Sequence, residues 1–275
     1  MKRRRAVPRL LLNLGLGLAA LATAAPLLWM VSVSLMPMGE ANILPPRLLP
    51  SRPTLEHYRE IFTQLDLGRS FWNTAVLAVS STAVSLLLNS LAGYAFAKLR
   101  FRGRDRLFAA LLLGLVVPAQ IGMLPLFLIV KNLGLVNTYL GAMIPTLTSI
   151  SGIFLIRQFA QSLPDELLDA ARVDGASEVR IYATIVLPLL RPILVTLAVL
   201  TFVGSWNDFL WPLIVLAGED RYTLTVALAN LSGEHVQDTE LMMAGAVLTI
   251  APILLPFFAL QRHYVEGLLL GSVKE

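Results

Sequence analysis

Long apolar stretches separated by short polar connections dominate the pattern of hydrophobic and polar positions along this chain. A helix that crosses the hydrocarbon core of a bilayer needs about 20 predominantly apolar residues. Six stretches reach that length with at most one charged residue each. We therefore predict an all-α integral membrane protein with six spans, at residues 10–36, 70–97, 107–130, 139–160, 192–217 and 241–261.

The amino-acid composition supports a membrane location. Of the 275 residues, 56% are hydrophobic and 15% are charged, whereas a soluble domain carries about 25% charged residues. The mean hydropathy is +0.70. These values exclude an ordinary soluble globule and a disordered chain, because neither accommodates so much apolar surface.

The first apolar stretch also has features of a cleavable signal peptide. Basic residues at 2–5 precede it, and Ala22-Thr23-Ala24 has the small-x-small form of a cleavage site. The apolar run nevertheless continues to Met36, whereas the hydrophobic region of a signal peptide is only about 7–15 residues long. We expect an uncleaved first helix.

Basic residues are distributed unevenly over the connections between the spans. Sixteen of the 22 lysines and arginines lie at the two chain ends or in the second and fourth connections, and six lie in the alternate connections. Lysine and arginine accumulate on the cytoplasmic side of membrane proteins. The pattern therefore predicts that both termini are cytoplasmic, and it explains the net charge of +4 without a nucleic-acid partner.

The connection after the fourth span, residues 161–191, is too long for a simple helix–helix loop of about 2–8 residues. Ser162-Leu-Pro-Asp165 has the composition of a helix start, with Ser162 as the candidate N-cap. Gly175 suits the end of that helix, and Ser177 starts a second one. We predict a helix-turn-helix that projects into the cytoplasm.

The spacing of small and apolar residues in this connection resembles the EAA motif of bacterial ATP-binding-cassette (ABC) importer permeases. The matching residues are Asp169, Ala170, Ala171, Gly175, Ile185, Leu187 and Pro188. Asp169 is the one departure, because the family usually has Glu at this position. The side chain of aspartate is about one methylene shorter than that of glutamate. The resemblance implies that residues 161–191 are a coupling segment that docks into a cleft of a cytoplasmic ATP-binding subunit.

Further similarities extend over essentially the whole chain. Residues 204–212 resemble the fifth helix of the carbohydrate branch of this family, and residues 261–274 resemble its C-terminal signature. The pattern is nearest to maltose-type second permease subunits and glycerol-phosphate-type permeases. The resemblance implies one permease domain over residues 1–275, with a core at 69–262, in the bacterial cytoplasmic (inner) membrane.

The same resemblance implies partners and a substrate class. The partners are a second homologous permease subunit, two cytoplasmic ATP-binding subunits and an extracytoplasmic solute-binding protein. The expected function is import of a sugar or oligosaccharide, and the alternative is a polyol phosphate such as glycerol-3-phosphate. A stand-alone secondary transporter or membrane enzyme is a distant alternative, because it would need several ionisable groups inside the membrane.

Catalytic signatures are absent from the sequence. There is no P-loop motif, no cysteine and no recognisable nucleophile–base set, and the three histidines lie far apart. We expect no enzyme activity, no metal site and no bound cofactor in this chain. ATP and Mg²⁺ belong to the partner ATPase in this interpretation.

Asp208 is the single acidic residue inside a predicted span, which makes it a candidate for the substrate pathway. Trp206 and Asn207 beside it suit the ring face and the hydroxyl groups of a sugar. A structural or gating role for Asp208, such as capping a broken turn before Pro212, stays open, and so does a solvated end position. Gln120 belongs to a proline-interrupted part of the third span that is either a mobile pathway element or a static kink.

Three connections give secondary predictions. Thr54 is the expected N-cap of an amphipathic helix before the second span. The basic stretch 98–106 is an orientation signal, a lipid-headgroup patch or part of a docking surface. Residues 219–240, with five acidic side chains and one arginine, are expected to be a solvated loop.

Overall fold

The computed structural model describes residues 6–63, 66–234 and 238–270, and the side-chain surroundings within 12–63, 66–231 and 238–255. All regular structure in these ranges is helical, which confirms the all-α prediction. The basic residues 2–5 and the end of the C-terminal signature, 271–274, lie outside the described residues.

The α-helices are α1 Ala6–Ser34, α2 Glu56–Thr63, α3 Leu67–Lys98, α4 Arg104–Leu113, α5 Met123–Asn132, α6 Tyr139–Met143, α7 Ile150–Gln161, α8 Asp165–Val173, α9 Glu178–Ile181, α10 Leu187–Leu189, α11 Arg191–Trp206, α12 Leu210–Val215, α13 Leu224–Glu234 and α14 Thr239–Leu270.

Two of the described helices are long and apolar enough to cross a membrane by themselves. They comprise Leu12–Ser34 of α1 and the whole of α3. Three bent pairs of helices bring the number of candidate spans to as many as five, by length and composition. The sixth predicted span falls within α14, which continues beyond the predicted end at residue 261.

The third predicted span is not a continuous helix. Arg104–Val116 and Ala119–Asn132 meet at an angle of 98°. Pro118 lies at the bend, where it supplies no N–H group and restricts the residue before it to extended geometry. One unbroken helix over residues 107–130 is therefore wrong, whereas the predicted proline interruption of this span is confirmed.

The fourth and fifth predicted spans are also interrupted. Tyr139–Thr146 and Ile150–Gln161 meet at 50°, with Pro145 in the 3₁₀ turn between them. In the fifth span, α11 ends at Trp206 and α12 begins at Leu210. Single continuous helices over residues 139–160 and 192–217 are therefore wrong as well.

The chain divides into two compact units, residues 1–68 with 227–252 and residues 69–226 with 253–275. In the first unit, the hydroxyl of Thr54 accepts a hydrogen bond from the amide of Glu56, the first residue of α2, at 3.1 Å. Thr54 thus caps the helix as predicted, but from one position before the N-cap residue Leu55. α2 buries Ile61 and His57, and His57 Nε2 lies 2.9 Å from the carbonyl oxygen of Met36.

Residues 219–240 are not a solvated loop throughout. They contain α13, and its apolar side chains Leu224, Val226 and Leu231 are buried. The prediction of a solvated loop is therefore wrong for α13, because its apolar side chains pack inside the protein.

In the second unit, α3 supplies polar side chains to irregular backbone. The side-chain oxygen of Asn89 accepts a hydrogen bond from the amide of Ser149 at 3.0 Å, beside the bend between α6 and α7. A second contact joins side chains only: Ser90 Oγ lies 2.7 Å from the hydroxyl of Tyr182. In a membrane protein, irregular backbone requires a partner such as Asn89, because lipid offers none.

Candidate functional site

The first part of the 161–191 segment is a short helix, α8, with a glycine-based C-terminus. The amide of Gly175 donates to the carbonyl of Arg172, and the amide of Ala176 donates to that of Ala171, each at 3.0 Å. This pair of bonds is a Schellman motif. Gly175 adopts a φ of +80°, so the prediction that it ends the helix in left-handed geometry is confirmed.

The start of α8 differs from the prediction. Ser162 is the C-cap of α7, and its hydroxyl donates to the carbonyl of Phe159 at 2.7 Å. The N-cap of α8 is Pro164, which offers no side-chain acceptor. The predicted N-cap role of Ser162 is wrong, because the preceding helix uses its hydroxyl group.

The second part of the segment contains an expanded helical turn. Ser177 caps α9 by accepting a hydrogen bond from the amide of Arg180 at 3.4 Å, as predicted. Residues Tyr182–Val186 then form a π-helix, directly before Pro188 in α10. Because a proline has no N–H group, the regular hydrogen-bond ladder cannot continue through position 188.

The residues of the predicted motif fall into an exposed set and a packed set. Asp169, Ala170 and Gly175 are exposed, whereas Ile185 and Leu187 pack against a core cluster that contains the fully buried Leu168. Pro188 is exposed, and Ala171 is partly buried. One side of the segment is thus anchored to the bundle and the other is available to a partner.

Two valines extend the exposed side. Val173 is 89% exposed and Val179 is 77% exposed. Ala170 and Val173, three positions apart on α8, lie on one face of that helix, and their short side chains permit close approach of a second protein.

Arg172 joins the two parts of the segment. It donates to Asp169 and to Glu178, each at 2.7 Å. The hydroxyl of Tyr94, on α3, donates to the other oxygen of Glu178 at 2.8 Å. The hydrogen bond from Arg172 holds the pKa of the Glu178 carboxyl below its usual value, against the opposing effect of partial burial.

Lys98 provides a second attachment to α3. Its ammonium group donates to the carbonyl of Leu163 and to Asp165, each at 2.6 Å, and its side chain is only 6% exposed. This bond from Lys98 lowers the pKa of the Asp165 carboxyl. The sequence had indicated only orientation, lipid or docking roles for this lysine.

The predicted pathway residues 206–208 lie where α11 ends. Trp206 is buried, with ring centres 5.5 Å from Phe71 and 5.6 Å from Phe202. Asn207 is exposed, and its side-chain amide donates to the carbonyl of Val203 at 3.1 Å.

Asp208 caps the turn that leads into α12. Its carboxylate accepts the amide of Trp211 at 3.5 Å, and its carbonyl accepts the hydroxyl of Thr225 at 2.8 Å. Gln120 lies in the 3₁₀ turn Ala119–Gly122 with an exposed side chain. No described contact joins Gln120 to residues 206–208, so the structure does not bring the four candidates together.

The loop at residues 216–223 is held by polar side chains that the sequence did not single out. The Asn73 amide donates to the carbonyls of Asp220 and Tyr222 at 3.1 and 3.0 Å, and its oxygen accepts the Tyr139 hydroxyl at 2.7 Å. Asn137 accepts the amides of Ala217 and Gly218 at 3.2 and 3.1 Å. The loop is therefore firmly positioned.

Metal-binding geometry does not occur among the described side chains, where no three His, Cys, Asp or Glu residues are grouped for it.

Comparison with known proteins gives one family. Residues 89–269, well over half of the chain, match the family described as binding-protein-dependent transport system inner membrane component. The matched range includes the whole 161–191 segment.

Individual relatives match along most of their own length. The arabinooligosaccharides transport system permease protein AraQ of Halalkalibacterium halodurans is 40% identical over 96% of both chains. The lactose transport system permease protein LacG of Rhizobium radiobacter is 37% identical over 98% of both. The sn-glycerol-3-phosphate transport system permease protein UgpE of Salmonella typhi is 34% identical, covering 82% of this chain and 83% of the relative.

Solved structures share the fold. The chain matches one from a bacterial ABC transporter involved in the import of the acidic polysaccharide alginate, with a TM-score of 0.83, 24% identity, and coverage of 96% of this chain and 99% of that one. A crystal structure of bacterial alginate ABC transporter in complex with alginate pentasaccharide-bound periplasmic protein gives a TM-score of 0.65 at 15% identity, with the same coverage.

Proposed function

Because the chain belongs to the family of binding-protein-dependent transport system inner membrane components, we propose that it is the translocation subunit through which an ABC importer moves a sugar or oligosaccharide inward. The observation that carries this proposal is 40% identity, over 96% of both chains, to a permease named for arabinooligosaccharides. The lactose permease relative adds a second carbohydrate.

The proposed subunit crosses the bacterial cytoplasmic membrane six times, with both termini in the cytoplasm. Three features support this topology: the long apolar helices, the bent pairs Arg104–Val116 with Ala119–Asn132 and Tyr139–Thr146 with Ile150–Gln161, each taken as one span, and the bias of basic residues toward alternate connections. The 161–191 segment then lies in the cytoplasm, and the 216–223 loop lies outside.

The exposed side of the 161–191 segment is the proposed docking surface for one of two ATP-binding subunits. ATP binding would draw those subunits together, and the attachment of the segment to α3 through Tyr94 and Lys98 would carry the movement to the helices. ATP hydrolysis belongs to the partners. The other proposed partners are a second permease subunit and a solute-binding protein, which the alginate complex with its periplasmic protein supports.

The contacts of residues 206–208 favour a structural or gating role over direct sugar contact. Trp206 is enclosed by aromatic rings, and Asp208 stabilises the start of α12. Asn207 is the member of the group with an exposed side chain. Gln120, on the exposed bend of the third span, stays a separate candidate for the pathway.

A polyol phosphate is the alternative substrate class, because a glycerol-3-phosphate permease also matches at 34% identity. The test is ATP-dependent uptake into proteoliposomes that contain the complete importer and its cognate solute-binding protein. We expect uptake of a labelled oligosaccharide or lactose. Uptake of glycerol-3-phosphate alone would establish the alternative.

The same assay separates an importer from a secondary transporter. Omission of ATP, or of the solute-binding protein, should abolish uptake. Uptake that persists without both and follows an ion gradient would contradict the proposed function.

A further inference from the structure

Positive charge is concentrated in the turn between α3 and α4, residues 98–106. The turn holds one lysine and four arginines, and Asp105 is its only acidic residue. Lys98 is engaged by Asp165, and Arg104 is paired with Asp105 at 3.0 Å. Arg102 and Arg106 form no ion pair with any described residue. The turn therefore carries excess charge that nothing in the described structure neutralises.

The four arginines border one recess. Residues 100–106 line a cavity of about 1050 Å³. Gly103 turns the chain at its centre with a φ of +84°, and nothing lies within 4 Å of the position that a Cβ atom would occupy there.

Backbone polarity adds to the side-chain charge. The ten-residue helix α4 begins at Arg104, on the edge of the recess. Amide groups in the first turn of a helix have no intrahelical acceptor, and the helix dipole favours an anion at that end.

Apolar side chains adjoin this charged recess. Phe101 is 41% exposed and Leu107 is 56% exposed. Phe101 packs on Phe96 with ring centres 5.9 Å apart, which fixes the apolar border in place. A small anion would leave this border unused, and so would a purely acidic protein surface. A molecule with an anionic head and hydrocarbon chains matches both parts.

We propose that this recess binds the phosphate group of an anionic phospholipid, with its acyl chains along the exposed apolar side chains of α4. A guanidinium group binds phosphate oxygens through two parallel hydrogen bonds. α3 and α4 lead directly into predicted spans, so the recess sits at the level of the headgroups. The proposal requires the membrane location of the chain and is independent of the transported solute.

The first test compares lipids on the unaltered protein. The complete importer, in detergent and without solute or nucleotide, is titrated with dioctanoyl phosphatidylglycerol or dioctanoyl phosphatidylcholine, and bound lipid is counted by native mass spectrometry. We expect at least about tenfold preference for phosphatidylglycerol, unchanged by excess inorganic phosphate. Equal binding of the two lipids would overturn the proposal, and displacement by inorganic phosphate would assign the recess to a free anion instead.

The second test removes the unpaired charges. Each basic group near an anionic lipid surface contributes about fivefold to affinity, so Arg102→Gln with Arg106→Gln should weaken phosphatidylglycerol binding about 25-fold. The control pair Arg52→Gln with Arg59→Gln removes the same charge from two exposed arginines elsewhere and should leave binding unchanged.

A different occupant would give a different result. Loss of the ATP-binding subunit from the purified Arg102→Gln, Arg106→Gln complex, with phosphatidylglycerol binding unchanged, would make the recess a protein-docking surface and overturn the proposal. The comparison of lipids on the unaltered importer decides the question even where this variant does not assemble. Solute uptake is not read in either test, so failure here leaves the transport function untouched.

Discussion

Gly175 is the residue on which the turn between α8 and α9 depends. Its φ of +80° is strained for any residue with a side chain, yet a Cβ atom would meet nothing within 4 Å. Substitution therefore acts through backbone conformation alone. A left-handed conformation costs an L-residue about 1–2 kcal/mol, so Gly175→Val should depopulate the observed turn by about 5- to 30-fold. We expect uptake per ATP hydrolysed to fall while the subunit still inserts and assembles.

Gly175→Asn is the matched control, because asparagine tolerates left-handed geometry. It should retain most of the coupling in the same proteoliposome assay of uptake and ATP hydrolysis. Equal coupling for Gly175→Val and the unaltered protein would contradict a role for this turn.

The ion pair between Arg172 and Glu178 predicts a pH dependence of stability. Arg172 lowers the pKa of Glu178 in the folded protein. The ion pair therefore contributes fully to the free energy of unfolding above the pKa of a glutamate in the unfolded chain, about 4.3. That contribution is lost as the pH falls through the lower pKa of the folded state. The Glu178 side chain is 45% exposed, which limits the contribution to less than about 1 kcal/mol. Glu178→Gln should lower the melting temperature of the complex by about 1–3 °C at pH 7 and by less near pH 3.

Glu219→Gln is a suitable control for this measurement, because it neutralises another exposed glutamate outside the 161–191 segment. The melting temperature of this variant should equal that of the unaltered protein at both pH values. A difference between Glu178→Gln and the unaltered protein that grows on acidification would show that the pair is not stabilising.

At the scale of residues, sequence reasoning identified the spacing of the motif from Asp169 to Pro188 but not the groups that hold it. Tyr94 lies 84 positions before Glu178, and Lys98 lies 67 positions before Asp165. Pairs so far apart are set by the packing of α3 against the segment, which no local pattern encodes. Arg172 and Asp169 are three positions apart on one helix, a spacing at which side chains meet, but the motif resemblance did not pair them.

At the scale of elements, Gly93 permits the close approach of α3 and α7. A Cβ atom at this position would lie 2.5 Å from Cγ2 and 2.7 Å from Cβ of the buried Ile156, and 3.1 Å from the backbone nitrogen of Arg157. Overpacking of this kind costs about 1–3 kcal/mol. Gly93→Ala should therefore lower the melting temperature by several degrees, about 2–10 °C.

Gly204→Ala provides the comparison, because a Cβ atom there meets nothing within 4 Å in α11, and alanine favours helix more than glycine does. Its melting temperature should stay the same or rise. Equal losses of stability from both substitutions would show that the close contact of α3 with α7 is not the cause.

Helices were easier to predict than their breaks. Apolar runs located α1 and α3 within a few residues, because length and hydropathy suffice for an unbroken helix. Pro118 indicated an interruption of the third span, whereas the break beside Pro145 was not predicted. The angles of 98° and 50° depend on which neighbours accept the redirected chain. Asn89, which holds the backbone at Ser149, is such a neighbour and lies in another element.

At the scale of the whole molecule, the proposed topology is testable because the chain contains no cysteine. Each introduced cysteine is then the single thiol of the subunit. With the proposed orientation, a membrane-impermeant maleimide should label Arg52→Cys in intact cells, and should label Val179→Cys only after permeabilisation. Both positions are exposed in this chain. Because Val179 lies on the proposed docking surface, labelling is done in cells that do not produce the ATP-binding subunits.

Labelling of Val179→Cys in intact cells would contradict the cytoplasmic location of the 161–191 segment. The charge bias predicts orientation because translocation of basic residues is unfavourable. The charge bias carries no information about the contacts between helices. The side chains that meet at the 161–191 segment could therefore not be predicted from it.

The unbroken course of α3 has a mechanical consequence. Asn73, which holds the 216–223 loop, and Tyr94, which holds Glu178, are separated by about 31 Å along this one helix. A stiff rod of that length that tilts by about 5° around one end displaces its other end by about 3 Å. In the proposed importer, α3 would therefore transmit a displacement of the 161–191 segment to the 216–223 loop by tilting as one body, without a change in any backbone dihedral between them.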